Sequence, residues 1–406
     1  MQKFEKHSPV VVTEVTTKHE LRQFMQYPNR LYADNPNYIP SFYGDDLSDW
    51  TPGKNPAFDY CEARCWLARR DGEIVGRIGA ILSHKANDKF GTHRMRFSQV
   101  DFVDDSEVSA ALFGTVERWA REKGCDQVHG PLGFTDMDRE GMLVEGFDRR
   151  SLFFTNYNAP YYLEHLTRLG DRKDVDWIEY RITVPEPGGA EAERLHKLSE
   201  FILKRKHLHV ATVHHKSEYG PFVRQVFELV NAAYAPLYGV VELSDEQIER
   251  YANKFIPLVD PDFVCFVVDE QDQLVAFGVT ALDPSVALKH SDGRLFPFGW
   301  AGVLNDLHHS DTLIMLLTAV RPDLQTEGIN AVMMDHVCQS CNRHGVRFAE
   351  TGPMLELNDH ILAQWKRLEK EQHKRRRCFI KDLDHDVNAA NAAAAQTETP
   401  ETESAE

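Results

Sequence analysis

The chain lacks any apolar run long enough to cross a bilayer. Its longest near-continuous apolar stretch, Leu313–Val320, falls far short of the ~20 residues a helix needs to span ~30 Å of hydrocarbon. The opening residues lack a basic region followed by an apolar core, so no secretory signal is expected there. Bases are in deficit: 46 Lys and Arg against 63 Asp and Glu leave a formal charge of −17. That surplus of acid repels phosphate backbones and argues against a nucleic-acid binder. Cysteine is sparse and odd in number, seven in all, which does not suit a disulfide framework and points to the reducing cytoplasm. Cys338 and Cys341 form a C-x-x-C flanked by His336 and His344. No second pair follows and the segment reads as one helix, so both are taken as small apolar residues and no metal is expected. From Asn388 onward the chain has no base and no apolar residue larger than Ala, so the acidic tail 388–406 is expected to be disordered.

What is present is globular. With 406 residues, 42% apolar and 27% charged, the chain has material for two or three cores. Val184-Pro185-Glu186-Pro187-Gly188-Gly189 removes backbone donors and helix propensity together, which places a linker between lobes 1–185 and 190–385.

The two halves repeat one pattern. CWLARRDGEIVGRIGAIL and FVCFVVDEQDQLVAFGVTAL both read as strand-turn-strand. Each is followed, after an irregular stretch, by a strand, a helix and another strand. In the first half these are RFSQVDFV, SEVSAALFGTVERWAREKG and CDQVHGPLG; in the second, TLIMLLTAV, TEGINAVMMDHVCQSCNRHG and VRFAETGP. Val108, Leu112 and Trp119 form one helical stripe, and Ile329, Val332, Met333 and Val337 another. Both helices end at glycine, Gly124 and Gly345, and both last strands run into Gly-Pro.

Val320 to Ala331 joins a buried strand to a helix. Pro322 stops the strand, and Gly328 lets backbone come close at the helix start, where free amides and the positive helix end suit a pyrophosphate. Gln325-Thr326-Glu327-Gly328-Ile329-Asn330 resembles the Gln/Arg-x-x-Gly-x-Gly/Ala signature of the GNAT superfamily of acyl-CoA N-acyltransferases, with Asn330 departing at the last position. Glu350 to Asn358 resembles the end of that family's fifth strand and its Asn-containing fourth helix. In the first half the matching turn, Asp101–Ser106, is acidic, whereas Asn158 to Gly170 resembles the family's Asn…Tyr…Gly run. Gly76-Arg77-Ile78, Glu140 to Asp148 and Tyr157 to Tyr162 are similar to a family of long two-lobed bacterial GNAT-like proteins, some implicated in ceramide synthesis.

The resemblance implies an α/β fold of two tandem GNAT-like lobes, each a mixed, mostly antiparallel sheet flanked by helices. It implies transfer of an acyl group from acyl-CoA, or from an acyl-carrier-protein thioester, to an amine, with the first lobe structural or acceptor-binding. A long-chain amino alcohol acceptor would make this a lipid enzyme. A tRNA-dependent aminoacyl transferase and a non-catalytic binding protein are the other readings. The strand Thr318, Ala319, Val320 and the turn Gln325, Thr326, Glu327, Gly328, Ile329, Asn330, Ala331 are expected to hold the donor, and Glu350, Tyr234 and Asn358 to serve catalysis, Glu350 as base and Tyr234 with Tyr238 at the acceptor entrance. Asp136, Asp138 and Glu140 imitate a calcium loop, but Phe147 stands where such a loop needs its bidentate carboxylate. The basic run Lys366 to Arg377 reads as a solvated helix face, or as a contact for CoA phosphates, a carrier protein or an anionic membrane.

Overall fold

A computed structural model describes residues 8–383, so the expected tail 388–406 lies outside the described residues. Fourteen strands among them join in one sheet. In chain order they are β1 (Val11–Glu14), β2 (Cys61–Arg70), β3 (Glu73–Ser83), β4 (Arg94–Phe102), β5 (Gln127–Gly130), β6 (Met142–Glu145) and β7 (Arg172–Thr183). The second half adds β8 (His209–Val210), β9 (Val264–Val268), β10 (Leu274–Leu282), β11 (Thr312–Val320), β12 (Phe348–Glu350), β13 (Met354–Leu355) and β14 (Lys370–Asp382). The spatial order is β1-β2-β3-β4-β5-β14-β7-β12-β11-β10-β9-β8, with β6 beside β14 and β13 beside β7.

The repeat read from the sequence is present in the pairing. Hairpins β2/β3 and β9/β10 run antiparallel into β4 and β11, and a helix then crosses to a parallel strand. The two parallel ladders are equally short, Arg94↔Gln127 to Arg96↔His129 and Thr312↔Phe348 to Ile314↔Glu350. Beyond them the strands part, so each lobe opens a wedge in its own sheet. Helix Ser106–Glu122 buries Val108, Leu112 and Trp119. Helix Asn330–His344 buries Val332 and Met333 in one apolar cluster and Cys338 and Cys341 in another, the two thiols pushed up by burial to about 11 and about 12.

The last strand of each half is shared across the middle. β14, from the end of the described chain, lies between β5 and β7 of the first half, and β7 in turn pairs β12 and β13 of the second. Val184–Gly189 is the covalent crossing, but the sheet is continuous through it.

The basic run is therefore not a helix face. The helix after Asn358 ends at Ala363, and Lys370–Asp382 is a strand at the sheet's centre. Alternation sends Lys374 and Arg376 to one face, where both are fully buried, and Arg375 and Arg377 to the other, where they pair Asp176. The balancing acids sit on β7, nearly two hundred residues away, which is why the local excess of charge misleads. Arg376 Nε lies 2.5 Å from Glu179 Oε1 and Lys374 Nζ lies 3.1 Å from Glu179 Oε2. Burial pushes the Glu179 carboxyl up, but the two cations outweigh it and hold it down at about 2. With the folded value below the ordinary 4.5, this carboxylate stabilises the fold above about pH 4.5 and the stabilisation is lost as pH falls toward 2. Glu179→Gln leaves the buried Arg376 without a carboxylate and Lys374 with Glu350 alone, and should cost about 3–5 kcal/mol at pH 7 by chemical denaturation. The deficit should shrink progressively below pH 4.5.

Candidate functional site

The second lobe's wedge is open. β11 pairs β12 only as far as Ile314 and then continues to Val320 with its other edge on β10. Val279 faces Leu317 while Thr280 faces Met315, so Leu316 is the extra residue of a bulge at the mouth of the wedge. Bulges of this kind re-aim backbone groups, here toward the opening. Tyr234 donates its hydroxyl to the Thr318 carbonyl (2.8 Å), and Thr318 donates to Phe277 (3.1 Å), which fixes this stretch of strand.

Past β11 the chain turns through Arg321–Ile329. No side chain caps the start of helix Asn330–His344. Gly328 takes a left-handed φ of +82°, and a Cβ at this position would come within 3.1 Å of the Ile202 side chain. The two acids of the turn are neutralised: Asp323 pairs Arg321 (2.7 Å) and Glu327 pairs Lys206 (2.6 Å). A narrow apolar pocket of about 170 Å³ runs from this helix through the wedge, lined by Leu195, Met315, Leu317, Met333, Trp365 and their neighbours.

The first lobe's wedge is closed by its own side chains. Asp105 accepts from the Glu107 and Val108 amides, and Arg70 pairs Asp105 (2.5 Å) and Glu107 (2.7 Å), so the helix start is filled. The Phe102 amide donates to the Tyr162 hydroxyl (2.6 Å), and Tyr161 donates to the Phe102 carbonyl (2.5 Å).

The expected site residues divide. Tyr234, Thr318 and Asn330 line the pocket; Gln325, Thr326 and Glu327 are exposed in the turn before the helix; Ala319, Val320, Ile329 and Ala331 are buried in the core. Asn358 accepts from the Ile361 amide (3.2 Å) and so starts the short helix that brings Ile361 to the pocket wall. Glu350 is placed otherwise. It follows Ala349, which lines the pocket, and points to the opposite face, where Lys374 (3.2 Å) and Arg181 (3.4 Å) hold its two oxygens. Beside it lies a polar cavity of about 720 Å³, lined by Arg181, Ser151, Asp283 and His373. Burial, then Lys374, pushes the His373 imidazole down to about 3, so it is neutral.

The first lobe supplies carboxylates that sequence reasoning weighed only as metal ligands. The loop after β5 carries Met137 into the apolar cluster that holds Tyr234, Leu316 and Leu317. Asp138 is structural, accepting from the Phe134 (2.8 Å) and Thr135 (3.2 Å) amides. Asp136 and Glu140 have no side-chain partner among the described residues. Burial, then Asp138, raises Asp136 to about 6, and burial, then Asp136, raises Glu140 well above the usual range. Asp136 is close enough to Tyr234 to add to the effect of burial on that phenol, which is pushed up to about 12. The signal in the sequence was three acids with few adjacent bases, folded across from the other lobe. His129, Asp174 and Cys378 could offer metal ligands, but the Tyr238 hydroxyl stands among them, 3.0 Å from His129, 2.5 Å from Asp174 and 3.5 Å from Cys378.

No protein-family model matches the sequence. Protein YghO of Escherichia coli (strain K12) is 27% identical over 379 residues, 92% of this chain and 95% of that one. A protein of Caulobacter vibrioides named bacterial ceramide synthase is 28% identical over 300 residues, 72% of this chain and 75% of that one. Among solved structures, a tandem GNAT protein from the clavulanic acid biosynthesis pathway aligns with a TM-score of 0.52 at 14% identity, over 92% of this chain and 99% of that one. This chain has the two-lobed GNAT-like fold. A GCN5-related N-acetyltransferase from Sphaerobacter thermophilus aligns at a TM-score of 0.50 and 12% identity, over 92% of this chain and 96% of that one.

In GNAT terms β11 is the fourth strand of the second lobe and helix Asn330–His344 its third helix. The wedge that the fold provides twice is kept open in one lobe and plugged by tyrosines in the other. Because Asp136 is raised above its ordinary 3.8, its burial stabilises the fold least where it is ionised, and the penalty grows as pH rises through about 6. Asp136→Asn should therefore stabilise the protein by about 3 kcal/mol at pH 8 and change little at pH 4, read by denaturant unfolding at the two pH values.

Proposed function

We propose that the protein is an N-acyltransferase that takes its acyl group from a thioester bound along β11 and passes it to an amine. The observation that carries this reading is the open wedge of the second lobe, continuous with the apolar pocket of about 170 Å³. The uncapped turn Gln325–Asn330 suits the pyrophosphate of CoA, the free edge of Met315–Val320 suits a pantetheine amide, and the pocket suits a long acyl chain. The bulge at Leu316 would aim a backbone amide at the thioester carbonyl. The amine would approach from the opposite face. Its nitrogen attacks the carbonyl carbon while the ionised carboxylate of Asp136 takes the proton; the C–S bond then breaks and a thiolate of pKa ~8.5 leaves without demanding a strong acid. Tyr234, bonded to Thr318, positions the strand and walls the entrance. Glu350 balances Lys374 and Arg181 rather than accepting the proton.

The relative named bacterial ceramide synthase favours a long-chain amine acceptor, with ceramide-like products. The tRNA-dependent reading loses its footing, since the one basic run is consumed inside the sheet. A non-catalytic binding protein draws on Asn330, and it parts from the enzyme reading at Asp136.

Donor binding is read by calorimetry with CoA. Thr326→Glu adds charge at an exposed turn position without strain and should weaken CoA by about tenfold, while Asp105→Asn in the closed lobe should leave it unchanged. Equal effects of both would remove the one-site assignment. For chemistry, Asp136→Asn should lower kcat ~10²-fold and abolish the rise of rate with pH near 6, whereas Glu350→Gln should leave that rise in place. The reverse pattern would return the base to Glu350, and no acyl transfer at all would favour the binding protein.

A further inference from the structure

Between β10 and β11 the chain leaves the sheet for two helices, Ser285–His290 and Gly299–His309. At the tip between them Phe296 is 81% and Phe298 80% exposed, and Trp300 and Leu304, one turn apart on the outer face of the second helix, follow at 47% and 45%. Single exposed apolar residues need no explanation, but two phenyl rings, an indole and a leucine on one protrusion form a continuous patch.

The tip is braced. A Cβ at Gly293 would fall 1.9 Å from the Ser41 carbonyl oxygen, and one at Gly299 equally close to that of Arg294, so backbone is packed on backbone at both ends of the loop. Tyr43 donates its amide to Gly293 (2.9 Å), Asn29 its side chain to Asp292 (3.0 Å), and Trp300 its amide to Leu295 (2.8 Å). The rings are thus held outward by a base fixed to the first lobe, at a standing loss of hydrophobic free energy that a partner would recover.

Charge narrows the partner. In a chain of −17, residues 285–310 carry Lys289 and Arg294 against Asp292 and Asp306, so the protrusion has no net formal charge and escapes the repulsion that the rest of the chain would meet at an anionic surface. Asp306 is turned inward to accept from the Ala287 amide (2.7 Å). Projecting phenyl and indole rings on such a tip match the boundary between acyl chains and headgroups. The polar cavity beside Glu350 opens at the foot of this protrusion, walled by Val286, Asn305 and His309.

We propose that Phe296, Phe298, Trp300 and Leu304 dock the protein on a phospholipid bilayer, next to the opening through which an acceptor would leave the membrane. The docking stands on the patch itself; only the link to the acceptor rests on the acyltransferase reading. The full chain should co-sediment with vesicles of phosphatidylcholine containing one-third phosphatidylglycerol. Phe296→Ser with Phe298→Ser should weaken that partition by about 10- to 100-fold, with CoA affinity and thermal unfolding unchanged. Leu357→Ser, at a position 74% exposed elsewhere, should leave it intact. Failure of the wild-type chain to sediment, or equal sedimentation of the double variant, overturns the proposal. A double variant that turns a dimer into a monomer in size-exclusion chromatography without losing vesicles would assign the patch to self-association instead. Vesicle binding without any acyl transfer would sink the enzyme reading and leave the docking standing.

Discussion

The sheet is held together at its middle by one buried carboxylate. Glu179 on β7 faces Lys374 and Arg376 on β14, and Lys374 reaches on to Glu350 on β12. Three strands from two lobes are registered by this chain of charges. Buried ion pairs stabilise little against an apolar substitute, but removing one partner strands a buried charge, so the three strands keep their places together. Through Glu350 the network reaches the last rung of the β11/β12 ladder, Ile314↔Glu350.

From the parting of the strands beyond that rung the difference between the lobes follows. Both carry a short parallel ladder and a bulge in the strand before the crossover helix, and both therefore have a gap in the sheet. In the first lobe Tyr161, Tyr162, Asp105 and Arg70 satisfy the groups that the gap exposes. In the second no side chain caps the start of helix Asn330–His344. The loop bearing Asp136 links the two, carrying acid from the closed lobe to the face of the open one.

Much of this was legible in the residues. Hairpin signals, the stripes at Val108 and Val332 and the Gly-Pro strand ends placed both lobes in the right order, because each depends on neighbours in sequence. The turn at Gln325–Asn330 and the tyrosine run of the first lobe were legible for the same reason. What escaped was everything decided across the interface. Arg375 to Arg377 looked solvated because Asp176 and Glu179, which neutralise them, lie in another lobe. Glu350 looked free because Lys374 and Arg181 are distant in the chain. Asp136 looked like a failed calcium ligand because nothing near it in sequence shows that Tyr234 is its neighbour.

The shared strand also governs how the chain is made. β7 ends at Thr183 and β14 begins at Lys370. On a ribosome adding ~5–20 residues per second, the slot between β5 and β7 stays empty for roughly 10–40 s after the rest of the first lobe has emerged. During that interval two strand edges and the carboxylate of Glu179 face solvent with no partner. A nascent first lobe is therefore an unfinished sheet awaiting its own distant end, and a neighbouring ribosome's chain, offering the same strand, competes for the slot.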